Sequence, residues 1–239
     1  MFGYYFDPTY LLVAIGAILS MLASSRVTST FNKYSRVRGR SGMTGAEAAA
    51  RILQRAGIYD VQIQHVSGNL TDHYDPSAKV LRLSDSVYDS CSVAAVGVAA
   101  HECGHAVQHQ VGYLPLKIRS LLVPAANIGS RLGLPIVILG LALGLEFNLP
   151  GGGYFSLAQI GIWVFTFAVL FQVVTLPVEF NASGRALKLV EECGIMTSDE
   201  VDDCKHVLGA AALTYVAAAA SSILQLLRLI ILSNRRRRD

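Results

Sequence analysis

The chain is poor in charge: Asp, Glu, Lys and Arg together make up 15% of its 239 residues. A soluble domain carries about a quarter, so much of this surface is built to face something other than water. Cysteine is scarce as well, with four residues. Cys91, Cys103, Cys193 and Cys204 show no CxxC spacing, which gives no support to a thiolate metal cluster. The net charge is only +3, too small to call for a nucleic-acid partner, and the arginine run at 235–238 is explained by orientation in a membrane or by anionic lipid headgroups. No Lys or Arg precedes the first apolar run. A secretory leader needs a basic start, so that run is expected to remain as an anchor.

What is present is apolar. Hydrophobic residues make up 52% of the chain and the mean hydropathy is +0.44. Residues 9–25 have no charge and are about long enough to cross a hydrocarbon core. The strongest span is 154–176, uncharged and rich in Phe, Val and Leu. Its expected partner is 132–145, which reaches spanning length if 121–130 joins it and Arg131 snorkels or pairs inside the protein. Residues 150–153, Pro-Gly-Gly-Gly, are read as the turn between them. The segment 207–232 is either a fourth span or a packed or surface-lying helix. Arg26, Lys33, Arg36, Arg38 and Arg40 place the region after the first span on the cytoplasmic side.

Chemistry concentrates in His101-Glu102-Cys103-Gly104-His105. Residues four apart share a helix face, so both imidazoles can turn to one cation, while Glu102 stands beside that face and can take a proton from water. The preceding run 93–100 is small and apolar, the mark of a buried helix. Unpaired polar groups delivered into a core would cost ~1–3 kcal/mol each, and a metal removes that cost. The HExxH pattern on a helix therefore points to zinc hydrolysis. His109 cannot be a third ligand, lying about 12 Å in rise from His101 along a continuous helix. The spacing with glycine and histidine three and six residues beyond His105 also fails, since Gln108 and Val111 stand there. Glu179 is the better candidate. Pro177 is read as opening a new helix, with the Glu179 carboxylate favoured in its first turn. The alternative is an ordinary helix-start glutamate.

With these residues the chain resembles the YugP-type membrane zinc metallopeptidases and, more distantly, the HtpX-type membrane gluzincins, in which a HExxH helix, a transmembrane hairpin and an E-x-x-x-D helix follow in order. The resemblance covers most of the chain. It implies that His101, His105 and Glu179 hold one Zn2+ ion and that Glu102 is the general base. Ser183 stands where the HtpX pattern has aspartate; its hydroxyl can accept from a ligand histidine but adds less basicity than a carboxylate. Tyr215 is a candidate donor to the oxyanion, with core packing as its alternative, and His206, His65 and His73 are further candidates.

Between anchor and motif helix a small water-facing region is expected. Thr44-Gly45-Ala46-Glu47 is a capping box ahead of a helix that stops at Gly57. Residues 61–66 and 79–83 alternate as strands do, with a turn at Asp75-Pro76-Ser77. Val80–Ser84 is the candidate edge strand for aligning a substrate backbone, a covered structural hairpin being the other reading.

The expected protein is thus a multi-pass membrane protein, mainly α, with three or four transmembrane helices and a small α+β gluzincin-like catalytic domain. Its segments are 1–25 (anchor), 26–118 (first catalytic part), 119–176 (transmembrane hairpin), 177–206 (second catalytic part) and 207–239 (apolar helix and basic tail). The expected activity is hydrolysis of peptide bonds in peptide or membrane-protein substrates by zinc-activated water. Membrane lipid is the surrounding partner, and a homo-oligomer or a membrane partner protein is compatible with the pattern. A non-catalytic membrane scaffold with a structural zinc site is the rival, against which Glu102 argues. A peptidase with its metal inside the bilayer is disfavoured: no Asp-Gly dipeptide occurs, and the stretch 84–90 before the motif helix is polar.

Overall fold

The computed structural model describes residues 7–148 and 154–236. Its elements are α1 (Tyr10–Tyr34), α2 (Gly45–Arg55), β1 (Gln62–Val66), β2 (His73–Asp75), β3 (Val80–Ser84), α3 (Val93–Gln110), α4 (Leu114–Leu143), β4 (Glu146–Asn148), β5 (Tyr154–Ser156), α5 (Leu157–Glu192) and α6 (Ser198–Arg236). The chain is mostly helical, and α1, α4, α5 and α6 are each long and apolar enough to cross a membrane. Two compact units form. One takes Met1–Leu22, Ile118–Thr175 and Tyr215–Asp239; the other takes Ala23–Lys117 and Leu176–Thr214.

The first unit is a helical bundle held by small residues. A side chain at Gly129 would come 2.5 Å from the Val164 carbonyl, and one at Gly161 would come 2.6 Å from the Val137 amide, so α4 and α5 approach backbone to backbone. Lipid gives no hydrophobic drive between helices, and close van der Waals contact takes its place. On α6, Ser221 donates to the Gly16 carbonyl of α1 at 2.8 Å, and Leu229 joins Val137 and Ala158 in a buried cluster. Leu121, Leu143 and Trp163 point outward, 80%, 63% and 65% exposed, as lipid-facing side chains do. Arg131 is also exposed on α4. Strands β4 and β5 pair antiparallel, Phe147 opposite Phe155. The expected turn at 150–153 lies outside the described residues.

Several expectations change here. The span placed at 154–176 begins at Leu157, because Tyr154–Ser156 is a strand; Ser156 and Gln159 then cap α5 reciprocally, each side chain accepting from the other's amide. Pro177 does not open a helix. It lies inside α5, so Glu179 sits mid-helix and not in a first turn. Proline removes one backbone donor at a cost of about 3 kcal/mol, yet α5 runs through it, with Val178 and Ala182 fully buried just beyond. The segment 207–232, left open between span and surface helix, is part of one continuous helix, α6.

The second unit encloses the larger core. Thr44 and Glu47 form the capping box of α2. Ser92 caps α3 by accepting from the Ala95 amide. Fully buried Val93, Ala94, Ala95, Ala99 and Ala100 pack α3 against Ile52, Leu81 and Leu83. The sheet order is β1-β3-β2, with β1 parallel and β2 antiparallel to β3. Val80–Ser84 is therefore the central strand, paired on both sides, and cannot add a substrate strand as an edge. It is buried except at Arg82, which is half-buried and pairs with Asp75. The edges are β1 and the short β2, which periodicity could not register in three residues. At the start of α6, Glu200 accepts from the Thr197 amide at 2.8 Å and from the Arg40 amide at 2.7 Å, tying the 35–44 loop to that helix.

Candidate metal centre

Helix α3 enters the core on its small apolar face and presents His101 and His105 one turn apart. Helix α5 can lie against that turn because residue 104 is glycine: a Cβ there would stand 2.5 Å from the carbonyl oxygen of Ala182. This close approach sets Glu179 and Ser183, a turn apart on α5, opposite the two imidazoles. Nε2 of His101 lies 3.2 Å from Glu179 Oε2, and Nε2 of His105 lies 3.5 Å from the same oxygen. The three donors lie within 4.8 Å of one another. The rings meet edge to face at 87°.

The donor set fits a zinc ion. Donors at bonds of about 2.0–2.1 Å in a tetrahedron stand about 3.3 Å apart; the two histidine-to-carboxylate separations, 3.2 and 3.5 Å, straddle that value. Both Nε2 atoms face one oxygen of a carboxylate that is 2% exposed. Without a cation that arrangement needs a proton in the cluster. Burial alone would lower the His105 pKa, but its hydrogen bond to Glu179 and the negative charges of Glu102 and Glu179 outweigh this and raise it.

The opposite ring atoms are anchored, as ligand histidines ordinarily are. His101 Nδ1 lies 3.1 Å from Ser183 Oγ, and His105 Nδ1 lies 3.0 Å from Gln108 Oε1. With Nε2 turned to a metal ion, each Nδ1 would carry the proton and donate it to these oxygens. Gln108 is fully buried. Its amide donates to the Val178 carbonyl at 2.8 Å and to Asn181 Oδ1 at 3.0 Å, and Arg185 Nε donates to the same Asn181 oxygen at 2.8 Å. Gln108 thus fixes both the His105 ring and the α3 to α5 contact. Sequence reasoning noted it only as the residue that is not glycine. The available signal was a glutamine three residues beyond a candidate ligand on a helix with an apolar face. Gln108→Leu is expected to weaken zinc affinity about 10- to 100-fold, measured by competition with a chromogenic chelator; unchanged affinity would remove Gln108 from the site.

Glu102 is buried beside the trio, 8% exposed, close enough for its charge to raise the His105 pKa. Cys103 points away, its thiol directed to the Ala49 carbonyl at 3.7 Å. Burial pushes its pKa well up, leaving an inert core group. His109 bonds Tyr74 through Nδ1 at 2.9 Å. His65 bonds Asp85, His73 bonds the Thr71 carbonyl and Arg82, and His206 stacks on Tyr34. Tyr215 falls in the helical unit, on α6.

Fold and centre together define a class: a helical chain with four membrane-length helices and a two-histidine, one-carboxylate group able to hold a metal. The family described as "Putative neutral zinc metallopeptidase" matches residues 9–234, and the chain belongs to that family. It is also 46% identical over 210 residues to the "Putative membrane protease YugP" of Bacillus subtilis (strain 168), covering 87% of this chain and 89% of that protein. No solved structure matches the chain.

Proposed function

We propose that the protein is a multi-pass membrane zinc metalloendopeptidase of gluzincin type, hydrolysing peptide bonds of peptide or membrane-protein substrates on the cytoplasmic side. The observation that carries this reading is the convergence of His101 and His105 Nε2 on one buried Glu179 oxygen, with Glu102 beside them. His101, His105 and Glu179 would hold one zinc ion, which when bound supplies Lewis-acid polarisation and lowers the pKa of a water toward ~7. Glu102 takes the proton of the attacking water and passes it to the leaving amine. Ser183 and Gln108 hold the two Nδ1–H groups, so the rings need not reorganise during turnover. The cytoplasmic placement rests on the basic residues from Arg26 to Arg40.

The reading is tested on the full chain in detergent. About one zinc per chain is expected by elemental analysis, with cleavage of an unfolded reporter protein lost on chelation and restored by zinc. Full zinc occupancy without cleavage of any reporter would instead favour a structural metal in a non-catalytic scaffold.

A further inference from the structure

Strand β1 is an open sheet edge in the unit that carries the metal trio. Gln62 donates its amide to the Lys79 carbonyl at 3.0 Å, so alternation turns the backbone groups of Gln62 and Gln64 toward β3 and those of Ile63 and His65 outward. Exposed edges are ordinarily guarded by lysine, proline or a bulge. The sequence of β1, Gln-Ile-Gln-His-Val, contains no such guard.

Helix α2 forms the other wall of a groove along this edge. Leu53, Ile58, Tyr59, Val61 and Ile63 line an apolar trough of about 370 Å³, with Tyr59 80% exposed at its rim. Gln54 and Tyr59 also line a second hollow, of about 530 Å³, together with Arg51, Arg55 and Glu192. Glu192 is paired with Lys188 at 3.6 Å. Among the described residues, neither Arg51 nor Arg55 has an acidic partner, so the hollow is left with unmatched positive charge. A helix beside an unpaired strand, with an apolar floor and a basic end, has the form of a strand-addition groove.

We propose that this groove docks an extended, acidic segment of a partner polypeptide as a strand added to β1. Its backbone pairs with Ile63 and His65, an apolar side chain fills the trough, and its carboxylates meet Arg51 and Arg55. A second copy of this chain is a poor occupant through its own tail, since residues 235–238 are arginine and carry the wrong sign. The docking does not rest on the peptidase reading.

The test uses the full-length Glu102→Gln chain in detergent micelles, so that hydrolysis cannot consume the probe. Fluorescein-labelled hexapeptides of the form Glu-Val-Thr-Val-Glu-Glu, varied at the apolar positions, are titrated by anisotropy. Saturable binding is expected, weakened at least about tenfold by Arg51→Glu with Arg55→Glu and lost when alternate peptide nitrogens are methylated. Peptides with lysine in place of glutamate should prefer the double variant. Tyr59→Ser gives an independent weakening should the charge reversal impair folding, and zinc content reports that the unit is intact. The proposal is overturned if no peptide of the set saturates, if affinity ignores both the charge reversal and the methylation, or if light scattering finds a dimer that the double variant dissolves, which would make a second copy the occupant.

Discussion

Glu102→Gln is expected to leave about one zinc per chain and to slow peptide hydrolysis about 10²- to 10⁴-fold, the range a positioned general base contributes. The amide has nearly the shape of the carboxylate, so the buried site at 8% exposure keeps its packing. It cannot accept the proton of the attacking water. Elemental analysis and a single-turnover assay on the same preparation separate the two properties. Turnover at the parental rate in the variant would sink the general-base assignment, whereas loss of zinc would show that the residue supports the ligands instead.

Glu179→Ala is expected to lose the metal altogether, with zinc falling below about a tenth of an ion per chain after dialysis and hydrolysis falling to background. Two imidazoles alone leave the cation without its one anionic ligand, and the removed carboxylate is the atom group both Nε2 donors face. Some loss of stability is expected as well, because the buried carboxylate pairs with both imidazoles and its removal leaves them without that partner. A melting curve beside the zinc determination distinguishes the outcomes. Full zinc occupancy in Glu179→Ala would place the third ligand elsewhere.

Legibility followed the range of the interactions involved. The α2 capping box was readable because Thr44 and Glu47 satisfy each other's orphan amides within one turn. The α3 helix was readable from its buried small face and its two histidines four residues apart. Long uncharged stretches announced membrane-length helices, since burial in lipid requires an unbroken apolar run. Proline misled at position 177, where the local preference for a helix start was overridden by burial on both sides of it in α5. Periodicity also could not rank the strands. Val80–Ser84 alternates like an edge, but its partners on both sides, β1 and β2, are known only from pairing.

By itself the sequence determined the chemical vocabulary: which side chains can bind a cation, which helix displays two of them, and which segments are too apolar for water. Those properties depend on residue type and on spacing within a few turns. Only the tertiary structure decided that Glu179 stands opposite His101 and His105, that Gln108 steadies one ring and Ser183 the other, and that β1 is left open. Such contacts join residues separated by as many as 82 positions, and they arise from helix packing at Gly104 and from strand order, which no local pattern encodes.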